Sequence, residues 1–370
     1  MGGTRSARKK IGGIRLCMDY RKLNSITKKD SFPLPRIDDV LDLLHGQKYF
    51  TTLDLASGYW QIEMDDSSKE KTAFIVDNNL YEWNRLSFGL TNAPGTFQRL
   101  MNYVLRSVIG KICLVYLDDI IVFSKTREEH LINLERILDL LKEADLKLGL
   151  SKCKFMSESV QYLGHVISAK GITPDPEKIE QLKNYKRPTT IVEIQSFLGL
   201  ASYYRRFIKS FADIAHPLIE LTRKKKDKQN KLVKKMNKDE EEGNNAFEWG
   251  EAEQKAFETL RECLITPPIV AFPDFEKEFL IFTDASNYGI GAVLSQIQNG
   301  EEVVIAYSSR HLNAAEKNYS AIEREALAIV YGIKRYRHYL QDEKFEIISD
   351  HRPLQWLEAH KDEKSRSVER

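Results

Sequence analysis

Residues 116–119 read Tyr-Leu-Asp-Asp between two apolar runs, Ile112-Cys113-Leu114-Val115 and Ile120-Ile121-Val122-Phe123. Two β-prone runs interrupted only by an acidic pair predict a hairpin with two carboxylates at its tip. Adjacent carboxylates on a rigid turn suit hard divalent cations, which take oxygen ligands. Asp also favours turns for backbone reasons alone, so the pair by itself is ambiguous. A third carboxylate changes the balance. Tyr49-Phe50-Thr51-Thr52-Leu53 is another β-prone run, and it ends in Asp54, ahead of Leu55-Ala56-Ser57-Gly58 and the aromatic pair Tyr59-Trp60. Joined to Asp118 and Asp119, Asp54 would complete a site for two Mg2+ ions about 4 Å apart, the arrangement that activates a hydroxyl and stabilises entering and leaving oxygens in phosphoryl transfer.

A second set of carboxylates lies downstream. Asp284 ends the run Phe279–Thr283 and Asp350 ends Phe345–Ser349, with Glu323 and Glu325 on a helix expected between them. Two strand-end aspartates and a helical glutamate offer a second set of oxygen ligands suited to divalent cations. Helical periodicity does not choose between the glutamates, since both flank the apolar stripe of Ile322, Ala326, Ile329 and Ile333.

The elements that must position these groups follow from hydrophobic spacing. Residues 1–165 mix short strands with helices, and Leu131, Leu134, Ile137 or Leu138, and Leu141 space an amphipathic helix over 131–148. Residues 172–221 read as helical. A capping box at Thr190 and Glu193 opens a stripe of Ile194, Phe197, Leu198, Ala201 and Tyr204, and a short helix over 211–221 follows. The charged tract 223–245 has too little apolar content to offset the entropy of ordering it, so a disordered linker is expected there. A new domain begins at Phe247, where Trp249-Gly250-Glu251 leads into a helix to Leu264, followed by strands at 279–283, 290–296 and 303–309. A helix over 318–338, opened by a Ser320–Glu323 capping box, and a strand at 345–349 complete the pattern.

Bulk properties narrow the class. A chain of 370 residues suggests two to three domains, and 56 Lys+Arg against 54 Asp+Glu give no net signal for nucleic acid. Their distribution carries more. Arg5, Arg8, Lys9, Lys10, Arg15, Arg21, Lys22, Lys28 and Lys29 cluster against Asp19 and Asp30, a basic segment that attracts a polyanion or is simply solvated. Cys17, Cys113, Cys153 and Cys263 stand apart, which excludes a zinc knuckle or disulfide scaffold and fits a reducing compartment. No apolar stretch approaches a membrane span and no signal-peptide pattern opens the chain. The expectation is a soluble intracellular protein, cytoplasmic or nuclear, with no membrane partner.

Seven ordered segments carry a family resemblance: FPLPRIDD (32–39), LDLASGYWQI (53–62), FGLTNAPGTFQRLMN (88–102), CLVYLDDIIVFSKT (113–126), YLGHVIS (162–168), FLGLASYYRRFI (197–208) and FTDASNYGIGAVLSQ (282–296). Together they resemble the reverse transcriptase of a gypsy-type LTR retrotransposon polyprotein, over residues 8 to 358 or so. The resemblance implies an α+β fold: a fingers–palm polymerase at 1–168, a helical thumb at 169–222, the linker at 223–246, and an α/β RNase H-like domain at 247–370. It implies DNA synthesis from RNA and DNA templates, in which a primer 3′-hydroxyl attacks the α-phosphorus of a dNTP. RNA template, DNA primer and RNA–DNA hybrid are the implied partners, and Mg2+, with Mn2+ able to substitute, the implied cofactor.

Site residues follow from the same resemblance. Asp54 and Asp118 bridge both ions and Asp119 sits further out. Tyr59 lies beneath the incoming sugar and excludes a 2′-hydroxyl. Phe88 and Gly89 pack against the new base pair, while Arg15 and Lys9 (or Lys10) cover the triphosphate. Leu163 and Gly164 belong to the hairpin that grips the primer. Arg205 and Arg206 suit duplex phosphates, whereas Tyr204 fits its own helix's core stripe. In the nuclease the motif selects Glu325, which directly precedes Ala326-Leu327-Ala328, and leaves Glu323 to cap the helix. Two positions depart from the family: Ser87 stands where Pro is common, and Ile11 where Asp is usual, which puts the fingertip turn in doubt. The fingers are expected to be truncated at their N-terminus. A fourth acidic residue and a closing strand–helix unit, expected after Asp350, are not found in 351–370, so the nuclease is expected to be incomplete, with little or no cleavage. The alternative is a non-catalytic nucleic-acid-binding relic, which primer extension separates from a polymerase. An RNA-dependent RNA polymerase is disfavoured by Tyr59 and the nuclease-like domain.

Overall fold

The computed structural model describes residues 5–10, 13–233, 248–341 and 343–349, with side chains from Met18 onward outside 224–233. The chain divides into two units, Met1–Leu163 with Ile167–Ala169, and Gly164–Val166 with Lys170–Arg370. The first unit opens with an antiparallel hairpin, β1 (Arg5–Lys10) and β2 (Gly13–Met18), in which Arg15 stands opposite Arg8 and Lys9 opposite Ile14. Short helices α1 (Arg21–Ile26) and α2 (Ile37–Asp42) lead to strand β3 (Tyr49–Asp54). Helix α3 (Asp66–Lys69), the hairpin β4 (Phe74–Val76) and β5 (Asn79–Tyr81), and helix α4 (Ala93–Val104) come next. Strands β6 (Cys113–Tyr116) and β7 (Asp119–Ser124), helix α5 (Arg127–Glu143) and strand β8 (Lys154–Ser157) complete a four-stranded sheet of order β6-β7-β3-β8.

Strand β7 is central, and every residue after Asp119 is buried, which explains its unbroken apolar run. Leu53, Phe97, Met101, Val115, Ile120 and Ile137 join in one cluster over the sheet. A buried polar set ties α5 to two strands. The ring of His130, fully buried, meets Thr51 Oγ1 of β3 at 2.7 Å and Ser124 Oγ of β7 at 2.9 Å. Burial lowers its pKa, and with both ring nitrogens hydrogen-bonded the imidazole needs no charge. Two expectations for α5 need correcting. Its buried face is His130, Asn133, Ile137 and Leu141, so Leu131 and Leu138 point outward. It stops at Glu143, not near 148, because Asp145 takes a left-handed conformation (φ 53°) that breaks the helix.

Three short strands, β9 (Ser159–Tyr162), β10 (His165–Ser168) and β11 (Gly171–Pro174), lie where the two units divide. The second unit then runs through helices α6 (Pro176–Lys183), α7 (Ile191–Tyr203), α8 (Phe211–Val233) and α9 (Glu251–Ile265). Strands β12 (Phe279–Ala285), β13 (Gly289–Gln298) and β14 (Glu301–His311), helix α10 (Ala321–Leu340) and strand β15 (Phe345–Ser349) follow, with sheet order β14-β13-β12-β15. Strands β12 and β13 pair antiparallel, whereas β12 and β15 pair parallel across the α10 crossover. Helices α6–α8 and this sheet share one unit. Phe197 of α7 packs on Phe257 of α9 at 4.7 Å.

Helix α8 reaches Val233, eleven residues into the tract expected as a linker from 223. The run Arg223–Val233 has neither Gly nor Pro and is dominated by Lys, with single Arg, Gln and Leu residues, all good helix formers. The remainder of that tract, 234–246, lies outside the described residues.

Gly171 decides how β11 meets the second sheet's approach. Ile172 N–H donates to Val270 O at 2.9 Å and Val270 N–H returns to Ile172 O at 3.1 Å. The backbone of Gly171 sits at φ 131°, and a Cβ there would lie 2.4 Å from the Val270 carbonyl oxygen. Gly171→Ala should therefore destabilise the protein by about 3 kcal/mol, through strain plus overpacking. Gly46→Ala, at positive φ but in open space, should cost only about 1 kcal/mol. Thermal or urea denaturation of the two variants compares them, and equal losses would contradict the close approach at Gly171.

Candidate active site

The β6–β7 hairpin closes through the two-residue turn Leu117–Asp118, and Tyr116 pairs with Asp119 across it. Leu117 takes a left-handed backbone (φ 55°), which costs energy for a residue with a branched side chain. Gln98 of α4, itself buried, holds the strained turn. Its Oε1 accepts from Leu117 N–H at 2.7 Å, and its Nε2 donates to Val115 O at 3.3 Å and Asn102 Oδ1 at 3.0 Å. The turn presents Asp118, and β7 starts with Asp119. Asp119 stands directly opposite Asp54 on β3. The three carboxylates foreseen from spacing are thus brought to one end of the sheet.

Their electrostatics are those of crowded negative charge. Burial, then the charges of Asp118 and Asp54, push the Asp119 carboxyl up to about 6, and Lys152 pulls the other way. Lys152 lies on a 3-10 turn after α5. Its Nζ donates to both oxygens of Asp54, at 2.8 and 3.1 Å. Gly149, three residues before it, donates its N–H to Asp54 O at 2.8 Å. Among the described residues no three His, Cys, Asp or Glu side chains gather closely enough to hold a metal ion by themselves. The Asp54 carboxylate is instead turned to Lys152.

The turn after Asp54 is pinned in turn. Gln61 donates from Nε2 to Ala56 O (2.8 Å) and Lys147 O (2.9 Å), and accepts from Lys147 N–H at 2.7 Å. Between these anchors Ser57 is left-handed (φ 53°). Gly58 comes so close to its neighbours that a Cβ would meet Phe97 at 2.9 Å and Asp118 Cβ at 3.3 Å. Tyr59 is half-buried, its ring 4.9 Å from Phe88 and 5.5 Å from Phe97. Burial and then the charge of Asp118 raise its phenol, so the hydroxyl stays protonated. Phe88 and Tyr59 are therefore neighbours. Gly89 (φ 93°) packs near Met18 O and Tyr20, and Asn24 donates to its carbonyl at 2.8 Å.

The other foreseen residues are described within their own elements or lie outside the described residues. The side chains of Arg15 and Lys9 lie outside the described residues, as do both the backbone and side chain of Ile11. Leu163 (φ 47°) and Gly164 (φ 70°) form a two-residue turn with both residues left-handed, the geometry favoured in tight hairpins. Within the second unit the Gly164 carbonyl accepts from Tyr204 Oη at 2.8 Å and Asp175 N–H at 3.1 Å. Tyr204 is buried, in keeping with its core stripe. The two arginines both make contacts inside their own unit. Arg206 is buried and donates to Ile305 O at 3.4 Å, and Arg205 donates to Ser309 O, so both side chains fasten the turn after α7 to β14.

In the second unit Asp284 lies near the end of β12, opposite Gly291, and is exposed. Glu325 is buried on the first turns of α10. Glu323 accepts from Ser320 N–H at 2.8 Å while Ser320 Oγ accepts from Glu323 N–H, closing the capping box. Strand β15 is described to Ser349, which pairs with Thr283, and Asp350 lies outside the described residues. Sequence reading missed Gln98, Gln61 and Lys152. The first two sit inside the recognised segments, but the contacts Gln98–Leu117, Gln61–Lys147 and Lys152–Asp54 span 19, 86 and 98 residues, separations no local pattern encodes.

Comparison with known proteins places this geometry. Residues 7–167 match the family "Reverse transcriptase (RNA-dependent DNA polymerase)", and residues 249–347 match "RNase H-like domain found in reverse transcriptase". The retrovirus-related Pol polyprotein of Drosophila melanogaster transposon 297 is 46% identical over 343 residues, covering 93% of this chain and 30% of that protein. That of transposon gypsy, from the same organism, is 42% identical over 347 residues, covering 93% and 32%. The chain thus spans about a third of the length of these relatives. A foamy viral protease-reverse transcriptase solved with an RNA/DNA hybrid superposes with a TM-score of 0.77 at 25% identity, over 98% of this chain and 47% of that one. With a reverse transcriptase domain at 7–167 and an RNase H-like domain at 249–347, the chain belongs to the reverse transcriptase family of gypsy-type and related LTR-transposon Pol polyproteins.

Proposed function

We propose that the chain is an RNA-directed DNA polymerase in which Asp54, Asp118 and Asp119 carry nucleotidyl transfer from a dNTP to a primer 3′-hydroxyl. The pairing of Asp54 with Asp119 across β3 and β7, with Asp118 on the adjoining turn, is the observation that carries this reading. The donor set is all carboxylate oxygen, with no sulfur or imidazole, which fits Mg2+ or Mn2+. The raised pKa of Asp119 reflects an excess of negative charge that a divalent cation would relieve. Such ions, when bound, lower the pKa of the attacking hydroxyl and stabilise the leaving oxygen.

The chain's own residues do the rest. Asp54 and Asp118 hold the cofactor side of the site, and Asp119 supports it from one residue further along β7. Lys152 holds Asp54 in place and offsets part of the charge. Tyr59, wedged against Phe88 and Phe97, presents a rigid ring beneath the incoming sugar and discriminates by exclusion. Gly89 lets the backbone approach the new base pair. Arg15 and Lys9, on the two strands of the first hairpin, meet the triphosphate, and the Leu163–Gly164 turn meets the primer end. The complex of the foamy viral protein with an RNA/DNA hybrid supports an RNA template and DNA primer as partners. In the second unit we assign Asp284, Glu325 and Asp350 to an RNase H-type metal site. The strand-end position of Asp284 and the burial of Glu325, with Glu323 committed to the cap, support that choice.

Three outcomes follow. Asp118→Asn should lower the rate of primer extension at least about 10³-fold, or roughly 4 kcal/mol of transition-state stabilisation, without unfolding the protein. Retained activity would remove Asp118 from the site. Tyr59→Val should raise rNTP incorporation while changing dNTP use little, since it removes a clash rather than an attraction. Unchanged rNTP discrimination would leave Tyr59 a packing residue. Asp119 gives a pH test. Its folded pKa, about 6, lies above its unfolded value, so ionisation penalises the metal-free fold above that pH, and the penalty fades as pH falls toward about 4. Asp119→Asn should raise the metal-free melting temperature at about pH 7.5 and much less at about pH 5. An equal gain at both would show that the carboxyl is not raised.

A further inference from the structure

The turn Ser286-Asn287-Tyr288 directly follows Asp284 and Ala285 and is gripped from two sides. From α10, Arg324 donates through Nη1 to Ser286 O at 3.0 Å and Asn287 Oδ1 at 2.6 Å. Arg324 neighbours Glu325, so this contact links the two assigned nuclease carboxylates through their flanking backbone. From the other side comes α8, which precedes the segment matched by the RNase H-like family. Ser286 Oγ donates to Asp213 Oδ1 at 2.5 Å and accepts from Gly289 N–H at 2.9 Å and Tyr288 N–H at 3.1 Å. Tyr288 stacks on His216, one helical turn after Asp213, at 4.5 Å. A Cβ on Gly289 would meet Asp213 Oδ1 at 2.9 Å, so only glycine lets the carboxylate in. Ala212 N–H donates to Ser309 Oγ at 2.9 Å, fixing the start of α8 on β14.

A hydroxyl that both donates to a carboxylate and accepts two backbone N–H groups leaves the turn little freedom. The bond to Asp213 is charge-assisted, among the stronger kinds. We propose that Asp213 is a positioning residue for the nuclease site: through Ser286 it holds the turn that fixes the Asp284 carboxylate relative to Glu325. The functional nuclease unit then includes α8, and its beginning lies before residue 249. The proposal rests on the assignment of Asp284 as a metal-binding carboxylate.

The test uses the full chain carrying Asp54→Asn and Asp118→Asn, which silences the palm site, and reads bound Mn2+ from the loss of its free electron paramagnetic resonance signal. Asp284→Asn is the control for the underlying assignment. Asp213→Ala should weaken Mn2+ binding by about tenfold, as loss of an outer partner of a metal ligand does. Asp213→Asn keeps an oxygen to accept from Ser286 and should return affinity to within about twofold of the parent. A role limited to general stability would instead shift melting temperature with no selective effect on Mn2+. Ser286→Ala removes the same bond with a small change and decides the matter if Asp213→Ala does not fold. Parent-like Mn2+ binding in Asp213→Ala and Ser286→Ala, with binding lost in Asp284→Asn, overturns the positioning role alone. Unchanged binding in Asp284→Asn overturns the nuclease assignment, and the role of Asp213 with it.

Discussion

Three carboxylates held at one end of a sheet repel one another, and the first unit is organised around keeping them together. The repulsion is visible in Asp119, whose proton is held to about pH 6 by burial and by its two neighbours. Charge crowding of that kind persists only where the backbone cannot relax. Strand β7 supplies the rigidity through five consecutive buried residues, and Gln98 holds the left-handed Leu117 that aims the hairpin tip. Gln61 and Gly149 tie the end of β3 and the following turn to the segment after α5. Lys152, from that same segment, supplies a positive charge that pulls the Asp119 pKa back down.

The second unit solves a related problem by different means. Its carboxylates come from a strand and a helix rather than from one hairpin, so their relation depends on how α10 lies over β12 and β13. Gly332 permits that approach, since a Cβ there would touch Ala292 and Ile281 at 3.2 Å. Helices α6–α8 add a layer on the other side of the chain order: Phe197 packs on Phe257, and Arg205 and Arg206 fasten to β14 carbonyls. Side chains that look like phosphate ligands in a linear reading are thus spent on internal contacts.

What is legible in the sequence follows the range of the interaction involved. The Asp118–Asp119 hairpin, the Thr190 and Ser320 caps and strand β15 are encoded within a few residues, and local pattern places them. The helix over 127–143 is legible as a helix but not in its rotation, because Leu131 and Leu138 are apolar yet face outward, while His130 and Asn133 are polar yet buried. The continuation of α8 to Val233 escapes a reading based on apolar content, since the run Arg223–Val233 is made mostly of good helix formers. The support of the candidate site by Gln98, Gln61 and Lys152 is least legible. The bonds Gln98–Leu117, Gln61–Lys147 and Lys152–Asp54 join segments far apart in sequence, and a glutamine or lysine inside a helix or turn carries no local mark of such a partner.

The central claim, that this carboxylate cluster makes DNA on an RNA template, is tested most directly by primer extension. The full chain is incubated with oligo(dT) annealed to poly(rA), dTTP and Mg2+, and products are resolved by length. The account predicts stepwise extension that requires the divalent cation and stops on chelation. Tight binding of the same hybrid with no extension in either Mg2+ or Mn2+ would contradict it, and would make the chain a nucleic-acid-binding protein that retains the polymerase fold without its chemistry.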